Sequence, residues 1–436
     1  MLEQSIISES AAGISDSELK AAMANVVEAA AKVFKKPRRA LLIPPDFTRL
    51  HSGAGRITAI LYDMLKDGCH IDVLPALGTH APMTERECAE FFGPGIPYSA
   101  FIRHDWRNDI IKIGEVPGEF VREVSEGLVN TPIEVELNKR IMDKSCDLII
   151  SIGQVVPHEV AGMANYSKNL FVGCGGSGMI NASHMLGAFY GMERMMGRDL
   201  TPVRRVFDYA QERFIADLPL VYILTVTSVN EGHAVIHGLF TGAERGRFEE
   251  AAKLSREKNI TFVDEPIKKA VVWLDPAEFR SAWLGNKAIY RTRMAIADGS
   301  ELVVIGPGIS KFGEDARNDE LIRKYGYIGR EAVLKLCDGR GAEDLRENLS
   351  VAAHLIHGSS DGRFSVTYAA GGLTRQEVEG AGFKYMPIDK ALALYDVSAL
   401  KDGYNTLASG EEIYYISNPA LGLWASEKNI TIFDNK

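Results

Sequence analysis

Cysteine is scarce and unpaired in this chain. The five cysteines, Cys69, Cys88, Cys146, Cys174 and Cys337, are odd in number and form no Cys-x-x-Cys pair. That argues against a disulfide framework and against a structural zinc site. A basic excess is missing too: the formal net charge is −9. A phosphate-backbone ligand needs a cationic face, so no nucleic-acid partner is expected. No run approaches the ~18 uninterrupted apolar residues of a membrane span. The opening MLEQSIISESAAG has neither the basic start nor the apolar stretch of a secretory signal. The expectation is a cytoplasmic protein without membrane contact. No fixed-period repeat and no low-complexity segment occurs.

What is present is ordinary globular material in quantity. A chain of 436 residues, 46% of them hydrophobic, has enough apolar surface for more than one core. Apolar runs and amphipathic stretches alternate. RRALLIPPD, HIDVLPALGTH and IMDKSCDLIISIGQVVPH read as strands; SDSELKAAMANVVEAAAKVFKK, RITAILYDMLKDG and TERECAEFFG read as helices. Ser15 and Glu18 fit a capping box, as do Thr374 and Glu377. Beyond residue 265, KKAVVWLD and SELVVIGPG read as strands, AEFRSAWLGNKAIYRTRMAIADG and DELIRKYGYIGREAVLKLC as helices, and ENLSVAAHLIHG as strand material. Such alternation predicts an α/β protein of two αβ domains with mostly parallel sheets and an active-site cleft between them. The expected domains are 1–260 and 265–405, with the tail 408–436 returning to the first.

Parallel sheets bind ligands at the carboxyl ends of their strands. Three strands of the first half run into polar residues there: Asp46 and Arg49, then His80, then His158. Singly, each reads as a turn residue or surface group. Three in a row point to one rim. Downstream, PHEVAGMANYSKNLFVGCGGSGMINASH gathers His158, Lys168 and His184 around a glycine cluster. Glycines can let backbone N–H groups approach a phosphate. The cluster is neither a Gly-x-Gly-x-x-Gly that follows a strand nor a Walker loop. Cys174 inside it is not expected to be a nucleophile.

Together, PPDFTR, ALGTH, VVPHEVAG, SKNLFVG and INASH resemble the nickel-pincer nucleotide-dependent lactate racemase family, and Lys287 fits the family's lysine in the second domain. The resemblance spans roughly residues 39–310 and implies an isomerase. Its cofactor would be nickel held by pyridinium-3,5-bisthiocarboxylic acid mononucleotide, supplied by cofactor-making enzymes. By position, Lys168 would tether the cofactor and His184 would complete the nickel coordination, with Asp46, Gly175 and Gly176 around the cofactor. His80 and His158 would be the acid/base pair. Arg49 and Lys287 would hold the substrate carboxylate, with Trp283 in the wall. The implied reaction inverts a 2-hydroxy acid through hydride removal and return. Histidine suits the proton steps because its pKa lies near neutral pH. Imidazole and sulfur donors suit square-planar nickel, and an arginine fork suits a carboxylate.

The chain departs from the family at Ala164-Asn165-Tyr166-Ser167 before the lysine and at Leu284 beside Trp283. These changes favour a substrate that is lactate-like or larger and sugar-derived. Two other readings keep the same residues: a metal-dependent lyase or hydrolase using the histidines, and a non-catalytic ligand-binding protein. A homo-oligomer is compatible with all three.

Overall fold

The computed structural model describes residues 2–34, 36–230 and 233–428. It divides into two compact units, Met1–Leu186 with Met195–Asn259, and Gly187–Arg194 with Ile260–Lys436.

The first unit is built on six strands: β1 (Gln4–Ile7), β2 (Arg39–Ile43), β3 (His70–Val73), β4 (Leu148–Gln154), β5 (Leu220–Asn230) and β6 (His233–Gly242). Their order is β1-β6-β5-β4-β2-β3. The run β5-β4-β2-β3 is parallel, and β6 and β1 are added antiparallel at one side. Strand β4 is buried along LIISIG, as a central parallel strand covered on both faces must be. Helices Asp16–Phe34 and Ala54–Leu65 cover β2, β3 and β4 with an apolar stripe that includes Leu19, Met23, Val26, Ile57 and Leu61. The first helix begins at the expected cap: Ser15 N donates to Glu18 Oε2 at 2.8 Å, and Glu18 N to Ser15 Oγ at 3.4 Å. A separate ribbon pairs Ile110–Val116 with Ile133–Asn138 antiparallel.

The second unit carries β7 (Ile267–Trp273), β8 (Ile296–Gly306), β9 (Ser365–Ala370), β10 (Lys384–Tyr385), β11 (Gly403–Thr406) and β12 (Glu412–Ile416), in the order β10-β9-β8-β7-β12-β11. Only β11 runs antiparallel to its neighbour. Both sheets are therefore mostly parallel, as the alternation predicts.

Three expectations are corrected. The tail does not return to the first domain: β12 pairs with β7, and Leu423–Ser426 with Ile260–Val263, all in the second unit. Residues 429–436 of that tail lie outside the described residues. Leu349–His357 is a helix rather than a strand. Asn348 caps it by accepting from Val351 N, and Val351, Ala352, Leu355 and Ile356 lie inside at helical spacing. The stretch expected as one helix before Gly299 is two single turns, Ala282–Gly285 and Lys287–Tyr290, followed by β8 from Ile296 onward.

Candidate functional site

Strands β2 and β3 are adjacent and parallel, so the loops after them start from one edge. Asp46 caps the short helical turn Phe47–Ser52, accepting from Thr48 N at 3.1 Å and from Thr48 Oγ1 at 2.5 Å. Its other oxygen lies 2.5 Å from Nδ1 of His80. A carboxylate can only accept, so Nδ1 carries the proton and the neutral His80 ring keeps its lone pair on Nε2. Burial pushes the Asp46 carboxyl upward. The His80 bond, the His80 and Arg49 charges and the Thr48 hydroxyl outweigh it, and the group ends below the usual carboxylate range. Asp46 is buried while the His80 side chain is 59% exposed, so the imidazole is held from inside and presented outward.

Lys168 sits at the start of helix Ser167–Phe171. The approach to it is unusual: Asn165 and Tyr166 both have left-handed φ, 61° and 56°, a conformation that side-chain-bearing residues adopt at a cost of order 1–3 kcal/mol each. Arg204, wholly buried, overdetermines the turn. It donates to the carbonyls of Met163 (2.7 Å) and Asn165 (3.2 Å) and to Ser167 Oγ (2.8 Å). Asn169, next to the lysine, ties the helix to the sheet by donating to Ile43 O at the end of β2 and to Ser151 Oγ in β4. Tyr166 belongs to an aromatic cluster. Its ring packs on Tyr222 and stacks on Phe248 with centroids 4.4 and 5.1 Å away, and its hydroxyl meets Ala243 O and Gln211. Burial pushes the Lys168 amine down to about 8, helped by the Arg49 charge and opposed by that of Glu159. A substantial fraction is therefore neutral, and nucleophilic, near physiological pH.

His184 lies on helix Ser177–Tyr190. Its Nδ1 is 2.6 Å from the Ile180 carbonyl, which only accepts, so the lone pair is on Nε2. Burial lowers its pKa against the opposing Ile180 bond, and the Lys168 charge lowers it further while Glu159 raises it. A neutral imidazole with one nitrogen tied to a carbonyl is the form that binds metal. His184 thus responds to Lys168, and both respond to Glu159, whose only signal in the sequence is adjacency to His158.

His158 follows β4 on a tight hairpin, Pro157–His158 against Gly162–Met163. It is buried, and its Nδ1 accepts from Val160 N at 3.1 Å. Its neutral ring therefore carries the proton on Nε2, opposite to His80.

The glycine cluster needs correction. Gly175 and Gly176 do not open a cradle for a cofactor. A Cβ at Gly175 would collide with the Phe171 carbonyl, and one at Gly176 with Glu136 Oε2 and Ile110 Cδ1. Leu137 bridges Gly175, Asn138 N donates to Cys174 O, and Gly178 N at the start of the His184 helix donates to Glu136 at 3.0 Å. The protein's own carboxylate takes the place expected for an anionic ligand. These glycines let the ribbon approach the helix closely. Gly78 N also donates to Gly173 O, which ties the His80 loop to the cluster. Cys174 is buried and its thiol is pushed up by desolvation, so it is no nucleophile.

In the second unit, Trp283 stacks on His354 with centroids 4.1 Å apart, and the Lys287 ammonium lies 5.8 Å from the Phe279 ring centroid. His354 donates to or accepts from Tyr327 at 2.9 Å and is driven down to about 3 by burial, with the His357 charge adding to it. The Trp283 ring is thereby backed by a neutral, fixed partner.

Among the described residues no group of three or more His, Cys, Asp and Glu side chains could hold a metal by itself, and no helix is long and apolar enough to cross a membrane. No curated protein matches the chain in sequence. A protein from Thermotoga maritima has a similar fold, with a TM-score of 0.79 at 21% identity over 97% of this chain and 100% of that one. The lactate racemase apoprotein from Thermoanaerobacterium thermosaccharolyticum is similar at a TM-score of 0.69 and 16% identity, over 95% and 93%. Residues 3–197, which hold every first-unit position discussed above through His184, match the lactate racemase N-terminal domain.

Proposed function

We propose that this protein is a racemase or epimerase of 2-hydroxy acids, lactate-like or larger and sugar-derived. The observation that carries the reading is the Asp46–His80 bond of 2.5 Å, which fixes a proton-accepting Nε2 at the carboxyl edge of a parallel sheet. His80 takes the hydroxyl proton of the substrate. His158, whose neutral ring carries its proton on Nε2, hydrogen-bonds the substrate oxygen from the other side, and it returns a proton there only as the imidazolium, with Nδ1 protonated as well and the Val160 bond released. The mirror-image substrate exchanges these roles, and His158 must then move its proton to Nδ1 and give up the Val160 bond. Arg49 grips the carboxylate, and Lys287 and Trp283 are assigned to the same substrate by the family resemblance.

The donor set suits a nickel-pincer nucleotide. Lys168 has the neutral amine that covalent attachment requires, and His184 has the Nε2 lone pair that a nickel square requires. When bound, such a cofactor supplies an acceptor for the α-hydrogen as hydride. A divalent metal held by protein side chains alone lacks a ligand set among the described residues, which disfavours the lyase or hydrolase reading. The same proposal has the protein work in the cytoplasm beside the cofactor-making enzymes.

The test uses protein co-produced with those enzymes and a panel of single-stereoisomer 2-hydroxy and sugar acids, with inversion at the α-carbon followed by chiral chromatography. Inversion in wild type, lost in His80→Ala and proceeding in deuterated water without α-deuterium uptake, is the expected result. Nickel and cofactor absorbance are expected to disappear in Lys168→Ala and His184→Ala. Tight acid binding with no inversion in a nickel-loaded protein would replace the proposal with a non-catalytic binding role.

A further inference from the structure

A cavity of about 340 Å3 opens beside His80, lined by Thr79 to Pro82 on one side and Arg103 to Asn108 on the other. Four features make it a prepared site rather than a surface dent.

Its floor is fixed. His104 is buried between two partners: Asn138 Nδ2 donates to its Nδ1 at 3.0 Å, which leaves Nε2–H to donate to Gly175 O at 3.2 Å. The 103–108 loop is therefore pinned to the same glycine segment that holds the His80 loop through Gly78. Its acid is spent. Asp105 Oδ1 accepts from the backbone of Arg107 (3.0 Å) and Asn108 (3.2 Å), and Oδ2 from Asn108 Nδ2 (2.9 Å). Its cations are not spent. Among the described residues neither Arg103 nor Arg107 forms an ion pair. One of them is held in place: the Arg107 guanidinium lies 3.6 Å over the centroid of the Trp106 ring. The remaining wall, Ala81-Pro82, is apolar and suits a carbon chain.

We propose that this cavity receives a second anionic group at the far end of the substrate, so that the preferred substrate is a 2-hydroxy acid bearing a distal carboxylate or phosphate. The inference rests on the reaction proposed above and narrows its substrate class. A neutral tail, as in lactate, leaves both arginines in water and gains nothing from them. A distal anion accepts charge-assisted hydrogen bonds from a fork already held in place.

The test has two arms. In the first, inversion at the α-carbon is measured by chiral chromatography on cofactor-loaded protein with single stereoisomers of lactate, gluconate, malate and 3-phosphoglycerate. At least tenfold higher kcat/KM is expected for malate or 3-phosphoglycerate than for lactate, and whichever of the two wins identifies carboxylate or phosphate. The margin should vanish in the Arg103→Ala/Arg107→Ala double variant while lactate inversion is unchanged. In the second arm, calorimetry measures binding of lactate, malate and 3-phosphoglycerate to wild type and to the double variant, independently of turnover. Binding of the doubly charged acids at least tenfold tighter, lost in the variant, supports the site. Lactate binding as well as both, or a margin that survives the double substitution, overturns it. Absence of inversion with every acid, together with an intact binding margin, would instead sink the reaction and leave the anion site standing.

Discussion

Asp46 and His80 touch across the ends of two neighbouring parallel strands, Oδ2 to Nδ1 at 2.5 Å. The carboxylate does two things at once: one oxygen caps the turn that carries Arg49, and the other sets the tautomer of the imidazole. Because Asp46 titrates below the usual carboxylate range, it is ionised throughout the neutral region. Its contribution to stability is present above the unfolded-state pKa of about 4 and is lost as pH falls through the lower folded value.

Asp46→Asn separates these duties. An amide can still cap the turn, but its NH2 can donate to Nδ1 and force the His80 proton onto Nε2. Racemisation activity should fall by about 100- to 10,000-fold, the range attached to a positioned acid or base. Circular dichroism and melting temperature should stay close to wild type. A variant with normal racemisation rates would show that the tautomer is immaterial.

The opposite tautomers of His80 and His158 predict an asymmetry between enantiomers. With separate single-enantiomer substrates, His80→Ala should abolish single-turnover formation of the 2-keto acid chiefly from one hand, and His158→Ala chiefly from the other, each by roughly 100-fold or more. Rapid quench and chemical detection of the keto acid read both directly. Equal losses for both hands in both variants would mean that the two rings act as one unit.

Part of this site was legible in the sequence. Asp46 and His80 could be brought together because a parallel sheet sends every strand's carboxyl end to one edge, so polar residues just after apolar runs share a rim. The glycine cluster was misread for an equally physical reason. Sequence shows where a backbone has no side chains, but not whether the vacated space is filled, and here Glu136 and Phe171 fill it. Arg204 and Asn169 were invisible because they act through backbone carbonyls and strand ends far away in the chain. Leu349–His357 was read as strand because its apolar run is short, and length alone cannot separate a buried turn of helix from a buried strand.

The Lys168 amine, lowered to about 8 mainly by burial, predicts a specific pH dependence of stability. The unfolded chain holds this proton up to about pH 10.4 and the folded chain releases it near 8, so the unfolded state binds more protons between those values. Below pH 8 the folded protein carries the full cost of a buried charge, which is relieved as pH rises through the window. Lys168→Met should therefore be more stable than wild type at pH 7, by on the order of 1–3 kcal/mol. The gap should narrow toward pH 10. Urea unfolding of cofactor-free protein across that range measures it, and a pH-independent gap would place the amine in water.

Gly175→Ala and Gly246→Ala form a matched pair. At Gly175 the new methyl meets the Phe171 carbonyl, a backbone atom that cannot step aside. The loss should be about 1–3 kcal/mol or more, with disturbance of the adjoining Lys168 and His184 helices. Gly246 lies in helix Arg245–Asn259 with no atom near the added methyl, so alanine there should gain about 0.4–1 kcal/mol. A tolerated Gly175→Ala would mean that the segment has slack after all, and would reopen it as cofactor space.

Tyr166 lies two residues before Lys168, the proposed tether, yet belongs to the core of the first unit, packed on Tyr222 and Phe248. Removing only the hydroxyl in Tyr166→Phe takes away its bonds with Ala243 O and Gln211 and should cost about 0.5–1.5 kcal/mol. Tyr166→Ala deletes the whole ring and should cost about 3–5 kcal/mol. Neither loss should act through access to the amine, because the ring is packed against Tyr222 and Phe248 and its hydroxyl is bonded to Ala243 O and Gln211. Mass spectrometry of Tyr166→Phe produced with the cofactor-making enzymes should find Lys168 modified to the wild-type extent. A marked increase in modification would show instead that the tyrosine obstructs the lysine, and that the left-handed turn at Asn165-Tyr166 exists to restrain attachment.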